Sequence, residues 1–459
     1  MDDELNGQSN FITRHMPFLT PYLDKVFQSQ VAKRLIRGSF WSTLGLFFSK
    51  GLEIITFIFV ARILSAEKFG ELGIIQSTIS LFKIFAWLWL GMTVTKFVSE
   101  FREKDIAKTG RIIGLSLVLA FSLGLVFTLA LFISAPWMSS RILAAPQISS
   151  PLQTSALMLF FGSLIGVQNG ILGGFENFKL IAIINLVSGV LNLPFLLLGS
   201  YYWGIKGAAW SLVILMALNW YINQKCLKRI MSDKGINITI KGSKKELVPL
   251  FHFSFPAFLS GILVNPVNWV CSAMLANQTN GYVELGAFNA ANQWRLAILF
   301  LPVSLGASVL PILSNLKGTH QWNSYIKVTK TAVFSSAILS LLIALPIALT
   351  SAYIMGFYGN NFRSYNSTLV LLACTAVITS ITSAIGNSIA SLDKMWWGFV
   401  LNLTWGFSLL YFAKKLIGMG SYGLSLANLY SYLLHLIMVG LFVWFCLKNL
   451  SSRVSDPGP

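Results

Sequence analysis

Charged residues are scarce in this sequence. Asp, Glu, Lys and Arg make up 11% of its 459 residues, apolar residues make up 55%, and the mean hydropathy is +0.69. Soluble domains carry about 25% charged residues, so a water-soluble fold is excluded. The apolar runs last about 20 residues, as in membrane helices, whereas strands of membrane barrels alternate over about 10. The composition predicts an all-α polytopic membrane protein.

Cysteine is scarce as well, and its four positions are far apart. They are Cys226, Cys271, Cys374 and Cys446. No two of them form a CxxC pair, so neither a disulfide framework nor a zinc site is expected. We interpret these residues as small apolar packing residues, and we expect no metal and no cofactor.

Apolar runs separated by polar and turn-forming residues predict twelve membrane spans. Their approximate limits are 39–64, 70–98, 111–135, 152–174, 178–202, 205–231, 248–276, 282–313, 325–352, 366–391, 395–417 and 421–447. The chain then divides into an N-terminal segment with an amphipathic helix, a first lobe of six spans, a basic linker, a second lobe of six spans and a tail. These parts are residues 1–38, 39–231, 232–247, 248–447 and 448–459.

Lys and Arg are distributed unevenly among the predicted loops. One side of the membrane, which includes both termini, carries 23 of the 34; the other side carries seven, and four lie within spans. Because cytoplasmic loops are enriched in Lys and Arg, both termini are predicted to be cytoplasmic. This topology, together with attraction to anionic membrane lipid, explains the formal charge of +18, so nucleic acid is not an expected partner.

Short motifs recur in the second half of the chain at a nearly constant offset. Glu71-Leu72-Gly73 recurs as Glu284-Leu285-Gly286, residues 173–185 parallel 390–402, and Gly204–Gly207 parallels Gly420–Gly423. The order of the motifs is the same in both halves. The repeat therefore predicts two six-helix lobes in parallel orientation around a central cleft, the usual place for a transporter site. Glu71 and Glu284 are interpreted as residues at helix N-termini, where the dipole favours an acid.

The stretch GLFFSKGLEIITFIF, residues 45–59, places Lys50 and Glu53 near the middle of the first span. A charge at the bilayer centre costs about 2.5–3.5 kcal/mol on insertion scales, so such residues normally face protein or water. Polar residues at helical spacing also occur in the second, seventh and eighth spans. They are Gln76, Ser80 and Lys83, then Asn265 and Asn268, then Asn289, Asn292 and Arg295.

We therefore predict a water-filled, net positive cleft between the lobes. Its charged residues would be Lys50, Lys83, Arg295 and Glu53, and its neutral ones Gln76, Asn265, Asn268, Asn289 and Asn292. A cationic cavity in a low dielectric attracts anions, and the arginine fork matches a pair of phosphate oxygens. A purely structural ion pair explains Lys50 and Glu53 equally well. His435, in the last span, is interpreted as a packed, hydrogen-bonded histidine.

Four motifs near span ends carry a family resemblance that covers residues of about 36–448. They are RGSFW at 37–41, VARILSAEKFGELG at 60–73, GGFENF at 173–178 and GIKGA at 204–208. The chain resembles the polysaccharide-repeat (O-antigen type) flippases of the MOP exporter superfamily, which also contains the MATE drug exporters and the lipid II flippases.

The resemblance implies a two-lobe carrier in the bacterial plasma (inner) membrane. Such a carrier would move an undecaprenyl-diphosphate-linked oligosaccharide to the outer leaflet by alternating access, beside a glycan polymerase or assembly complex. Family members are thought to couple to a proton or sodium gradient. Glu53 is the one carboxylate at the membrane centre, so it is the predicted coupling group.

Two alternatives belong to other functional classes. A cation-coupled multidrug exporter of the MATE type would bind organic cations, which a net positive cleft disfavours. A membrane polysaccharide polymerase or ligase would need catalytic side chains in an outer loop. The longest predicted outer loop, 135–151, carries Arg141 and no acid or histidine. The chain is therefore expected not to be an enzyme.

Overall fold

The computed structural model describes residues 30–86, 88–239 and 262–454. Outside the described residues lie the predicted start of the amphipathic helix, the second half of the basic linker, the beginning of the seventh predicted span and the end of the tail. Within these ranges every regular secondary-structure element is a helix. The first six helices are α1 Gln30–Ala86, α2 Leu88–Phe101, α3 Ile106–Trp137, α4 Ser149–Gly174, α5 Phe178–Asp233 and α6 Val264–Ala276. The next six are α7 Gly281–Gly318, α8 Trp322–Leu349, α9 Ser351–Phe357, α10 Asn366–Ser391, α11 Met395–Leu416 and α12 Gly420–Val454.

Seven helical segments of the described chain are long and apolar enough to cross a membrane. They are Ile106–Ile142, Pro146–Gly174, Phe178–Asp233, Gly281–Gly318, Trp322–Leu349, Asn360–Ser391 and Met395–Lys448. In hydrocarbon a backbone must satisfy its own hydrogen bonds, and a helix does so within one segment. The protein is therefore an all-helical, multi-pass membrane protein.

Two of the long helices contain a residue with non-helical backbone. These residues are Ser65 in α1 (φ 75°, ψ 166°) and Gly204 in α5 (φ 57°, ψ −135°). At 1.5 Å per residue, each part of α5 exceeds roughly 35 Å, which is longer than the apolar core of a bilayer. α5 is therefore two helical segments joined at a sharp turn.

The two halves of the chain repeat these backbone breaks. Residues with positive φ occur in four pairs that are 215 to 217 positions apart: Ser65 and Asn280, Ala144 and Gly359, Glu176 and Asp393, Gly204 and Gly420. The last pair is also alike in ψ, at −135° and −142°. The breaks share the offset of the sequence motifs, so the halves follow the same succession of helices and turns.

Ion pairs stabilise one of the repeated turns in both halves. In the first half, Nη2 of Arg102 at the end of α2 lies 2.6 Å from Oε1 of Glu176. In the second half, Lys317 at the end of α7 pairs with Asp393. Each acid occupies the positive-φ position of its turn. In each half, a similar electrostatic contact therefore joins the end of one helix, α2 or α7, to the turn that precedes a later one, α5 or α11.

The halves meet mainly where α1 packs against α6 and α7. Small residues allow a close approach there: a Cβ on Gly70 would lie 1.8 Å from the Tyr282 carbonyl oxygen, and one on Gly286 would lie 2.2 Å from that of Ala66. Such small-residue contacts are typical of helix pairs in membranes. The region of contact around Ser65 and Gly286 is called the closed end below.

Glu284 connects the closed end to the start of α12. Its Oε2 accepts a hydrogen bond of 2.7 Å from the Ser421 backbone N–H, and its Oε1 accepts one of 3.1 Å from Tyr365. Glu71 is buried and accepts a hydrogen bond of 2.7 Å from Gln147. Glu284 does lie in the first turn of α7, but its carboxylate binds the N-terminus of another helix. Both acids therefore hold neighbouring segments in place.

Candidate functional site

One face of α1 changes from open to buried along its length. The side chains of Lys50 and Glu53 are 50% and 41% exposed. Seven residues further on, which is two helical turns on the same face, Phe57 and Val60 are 6% and 0% exposed, and Leu64 is 3% exposed. Because this face packs inside the protein near Ser65, we interpret its open part as facing a space between helices rather than lipid. We call this space the cleft.

Lys50 and Glu53 form an ion pair in the cleft. Nζ of Lys50 lies 2.5 Å from Oε2 of Glu53, at i, i+3 on one helical face. Lys83, in the second segment of α1, is partly buried and lies within electrostatic range of both residues. The structure thus brings three of the predicted charges together, and their sum is one positive charge.

The walls around this charged group come from α1, α5, α6 and α7. Ser49 lies beside Gly189 of α5, whose added Cβ would be 3.2 Å from the Ser49 hydroxyl. The Phe47 ring lies 6.2 Å from that of Phe300 in α7, so an aromatic pair bounds the opening one turn before Lys50.

Asn265 and Asn268 lie on α6. Nδ2 of Asn265 donates a hydrogen bond of 3.1 Å to the Ser80 carbonyl, in the segment of α1 that carries Gln76 and Lys83. Nδ2 of Asn268 donates to the Val264 carbonyl of its own helix, at 2.9 Å. The α6–α1 contact is strengthened by Trp269, whose Nε1 donates to Thr78 at 2.9 Å. Asn265 therefore stands beside the Lys83 segment, whereas the Asn268 amide is engaged locally.

Arg295 belongs to a second group of residues. Its Nη1 donates to Oδ1 of Asn292 at 3.3 Å, and its guanidinium lies 5.2 Å from the centre of the Tyr432 ring. Its Nε is buried and has no hydrogen-bond partner among the described residues. An unsatisfied buried donor costs about 1–3 kcal/mol. The Nε–H is therefore available to an incoming acceptor.

Asn289 lies nearer to the closed end than the other predicted site residues. Its Nδ2 packs directly against Gly73, since a Cβ added to Gly73 would lie 1.8 Å from this nitrogen. The nitrogen is buried and has no hydrogen-bond partner among the described residues. Gln76 is partly buried on the same segment of α1 as Gly73. The nine predicted residues therefore extend from the open part of the cleft towards its closed end, as several groups.

Tyr432 is a site residue that the sequence prediction did not include. It supports Arg295 on one face and lies 5.3 Å from the Trp405 ring. An aromatic residue in an apolar helix gives no sequence signal of this role. The pairing of Arg295 with an aromatic ring becomes visible only when α7 and α12 are placed together.

Comparison with protein families and curated proteins gives consistent results. The family described as "Polysaccharide biosynthesis protein" matches residues 35–317. The chain is 24% identical over 322 residues to the EPS I polysaccharide export inner membrane protein EpsE of Ralstonia solanacearum, covering 68% of this chain and 71% of that protein. It is 24% identical over 327 residues to a putative O-antigen transporter of Shigella dysenteriae, covering 70% and 78%.

Solved structures share the fold. A MATE-family multidrug resistance transporter of the MOP superfamily in an inward-facing conformation superposes with a TM-score of 0.80 at 14% identity, covering 88% of this chain and 96% of that one. An outward-facing structure of such a transporter gives 0.63 at 16% identity, covering 93% and 98%. The lipid II flippase MurJ, inward closed, gives 0.71 at 16% identity, covering 88% and 87%.

Proposed function

The chain belongs to the polysaccharide biosynthesis protein family, and from this premise we propose that it is a flippase for lipid-linked oligosaccharides. Its substrate would be an undecaprenyl-diphosphate-linked repeat unit, moved from the cytoplasmic to the outer leaflet of the inner membrane for O-antigen, capsule or exopolysaccharide synthesis. Relatives named for polysaccharide export and O-antigen transport support this substrate class. A glycan polymerase or assembly complex would receive the product.

The proposed architecture has twelve spans in two lobes of six. The turns at Ser65 and Gly204 divide α1 and α5, and the paired backbone breaks support a repeat that begins again after the linker. With both termini in the cytoplasm, the closed end faces outward and the residues around Lys50 face the cytoplasmic half of the membrane. The structure then corresponds to a carrier whose cleft is sealed from the outside.

The observation that carries the proposal is the open charged segment of α1. Lys50 and Glu53 are exposed on a face that Phe57, Val60 and Leu64 bury two turns later. A charge at the bilayer centre costs about 2.5–3.5 kcal/mol, and a purely structural ion pair does not need this degree of exposure. A cleft that admits water and an anionic head group explains the arrangement.

The residues of the cleft have distinct proposed roles. Lys50 and Lys83 would attract the diphosphate as point charges, and Arg295 would bind its oxygens through the Nε–H that lacks a partner. Gln76, Asn265, Asn268, Asn289 and Asn292 would contact sugar hydroxyls. Because an exposed ion pair contributes only about 0–1 kcal/mol, substrate phosphate can replace Glu53 as the partner of Lys50. The released Glu53 would then bind the coupling proton or sodium ion.

The test is transport by the purified full-length chain in proteoliposomes. We expect it to move a fluorescent undecaprenyl-diphosphate oligosaccharide between leaflets faster than protein-free liposomes do. Export of an organic cation such as ethidium, with no oligosaccharide movement, would contradict the proposal and favour the drug exporter. Extension or transfer of the glycan would instead favour a polymerase or ligase.

A further inference from the structure

A second cavity lies within the second half of the chain, among α10, α11 and α12. Its volume is about 320 Å³. The polar residues that line it are Thr379, Thr382, Ser383, Asn402, Tyr432 and His435. Among the described residues, no lysine, arginine or carboxylate side chain contributes to this lining. The cavity is therefore mainly apolar, with a few uncharged polar groups, unlike the region around Lys50.

His435 presents an unused acceptor to this cavity. The residue is 8% exposed, and one nitrogen of its ring hydrogen-bonds the Leu401 backbone carbonyl. That bond fixes the proton on the bonded nitrogen, so the other nitrogen, Nδ1, carries a lone pair. Nδ1 is buried and has no hydrogen-bond partner among the described residues. His435 is thus packed as the sequence predicts, yet only one of its two nitrogens is satisfied.

Two of the hydroxyls beside His435 are already used as donors within their own helix. Thr379 donates its hydrogen to the Thr375 carbonyl at 2.7 Å, and Thr382 donates to Ile378 at 2.8 Å. Both hydroxyl oxygens can therefore only accept further hydrogen bonds. A proton on Nδ1 would make it a donor that faces these two acceptor oxygens. A sodium ion is a worse match, because imidazole is a ligand of softer metals.

The corresponding position in the first half is satisfied. Asn219 follows Gly204 at the same distance as His435 follows Gly420. Nδ2 of Asn219 donates to Ser188 at 2.7 Å, and its Oδ1 accepts from Asn223 at 2.6 Å. The two halves thus differ at this position: the first half has a hydrogen-bonded asparagine, and the second half has a titratable group beside a cavity.

Tyr432 connects this cavity to Arg295. It lies one turn before His435 on α12, lines the cavity, and supports the Arg295 guanidinium at 5.2 Å. Few ionisable groups therefore lie near His435. The described residues of α10 and α11 contribute none to the lining, and α12 contributes Tyr432. Arg295 of α7 is not in the lining, but it contacts Tyr432. The described parts of α6 and α8 contribute none to the lining.

We propose that His435 is a proton-binding site, and that a proton there and an anion at Arg295 favour each other's binding. The second clause rests on the proposed diphosphate function of the cleft. A positive charge on His435 raises the potential around Arg295, so anion affinity rises; by linkage, a bound anion raises proton affinity by the same factor. The sign predicts that anion affinity falls as pH rises through the titration of His435.

The proton site is tested by NMR of the ¹⁵N-histidine-labelled full-length chain in nanodiscs. Four histidines give signals, and His435→Asn and His435→Gln each identify the signal of His435. We expect Nδ1 to become protonated as the pH is lowered towards 5, independently of sodium concentration. A signal that stays in the neutral form down to pH 5, or that shifts with sodium instead of protons, would overturn the assignment.

The linkage is tested with inorganic pyrophosphate as the probe, by calorimetry at pH 6 and pH 8. Pyrophosphate itself titrates, so the loss of affinity between pH 6 and pH 8 is compared between variants. This loss should be about fivefold or more greater in the unmodified chain than in His435→Asn. The exposed His320→Asn serves as the matched control and should behave as the unmodified chain. Equal pH dependence in all three would overturn the linkage. Absence of pyrophosphate binding at both pH values would instead refute the anion-binding cleft, and the NMR titration would still decide the proton site.

Discussion

Lys50 is the residue at which two physical requirements meet. It must be neutralised in the membrane interior, and under the proposed function it must be available to a substrate. Its pair with Glu53 satisfies the first requirement at 2.5 Å, and the exposure of both side chains keeps the pair weak enough to satisfy the second. A fully buried pair would be too costly to separate, since removal of one partner typically costs 3–5 kcal/mol.

Glu53 is predicted to couple substrate movement to an ion gradient. Glu53→Gln keeps the size and hydrogen-bonding capacity of the side chain but removes its charge. The side chain at position 53 can then no longer release Lys50 and bind a proton or sodium ion in its place. We expect oligosaccharide flipping that no longer responds to an imposed proton or sodium gradient. The matched control is Glu67→Gln on the same helix, which is exposed near Ser65. If Glu53→Gln retains the gradient response of the unmodified chain, Glu53 is not the coupling group.

Arg295 is predicted to bind phosphate through its planar fork. Arg295→Ala should weaken pyrophosphate binding by roughly tenfold or more, because charge-assisted hydrogen bonds contribute about 1.5–3 kcal/mol. Arg295→Lys keeps the charge but loses the buried Nε–H and the stack on Tyr432. Its affinity for pyrophosphate should therefore lie between that of the unmodified chain and that of Arg295→Ala. Calorimetry measures all three. An affinity of Arg295→Lys equal to that of the unmodified chain would show that charge alone is recognised.

Charged residues within membrane spans can be identified from the sequence, but the residues that contact them are harder to predict. Lys50 and Glu53 stand out because charges are rare in apolar runs, and their pairing follows from helical spacing. The position of Arg295 beside Tyr432 depends on how α7 crosses α12, which no local pattern specifies. The unsatisfied Nδ1 of His435 likewise depends on the Leu401 carbonyl of another helix.

Helices and their breaks differ in how clearly the sequence indicates them. The apolar runs indicate α3, α4, α8, α10 and α11 closely, because hydrocarbon thickness fixes their length. The predicted loop between the first two spans, in contrast, is reduced to one non-helical residue, Ser65, within α1. A serine carries no signal for a positive φ, whereas the glycines at 204 and 420 do.

Gly420 is predicted to be irreplaceable at the start of α12. Its backbone (φ 66°, ψ −142°) strains any residue with a Cβ, and an added Cβ would lie 2.4 Å from Oε2 of Glu284. Gly420→Ala should lower the free energy of unfolding by about 1–3 kcal/mol. Gly418→Ala is the matched control: nothing lies within 4 Å of its Cβ, so its stability should change little. Thermal unfolding in detergent compares the two, and equal midpoints would contradict this account.

The whole molecule is predicted to be closed at the end that contains Ser65 and open around Lys50. Lys50→Cys should react quickly with a membrane-impermeant maleimide, and Phe57→Cys, two turns along the same face, should react at least tenfold more slowly. Labelling is compared in inverted and right-side-out vesicles in a Cys374→Ser background, because Cys374 is the exposed native cysteine among those described. We expect labelling of Lys50→Cys from the cytoplasmic side.

Other labelling patterns would contradict this arrangement. Equal rates at positions 50 and 57 would show that the cleft does not close where Phe57 is buried. Reaction of Lys50→Cys only from the outside would reverse the proposed orientation. The sequence repeat predicts two similar halves, but it is silent on which end is closed, because a carrier with one sequence adopts both states.

The central claim is that a cationic cleft between the two halves moves a lipid-linked diphosphate. Its most direct measurement is flipping of undecaprenyl-diphosphate oligosaccharide in proteoliposomes by Lys50→Ala, Lys83→Ala and Arg295→Ala at equal protein content. Lys415→Ala, an exposed cation at the end of α11 and outside the cleft, is the control. We predict that each cleft variant flips at least tenfold more slowly than the unmodified chain, while Lys415→Ala retains its rate. Full activity in all three cleft variants would contradict the account.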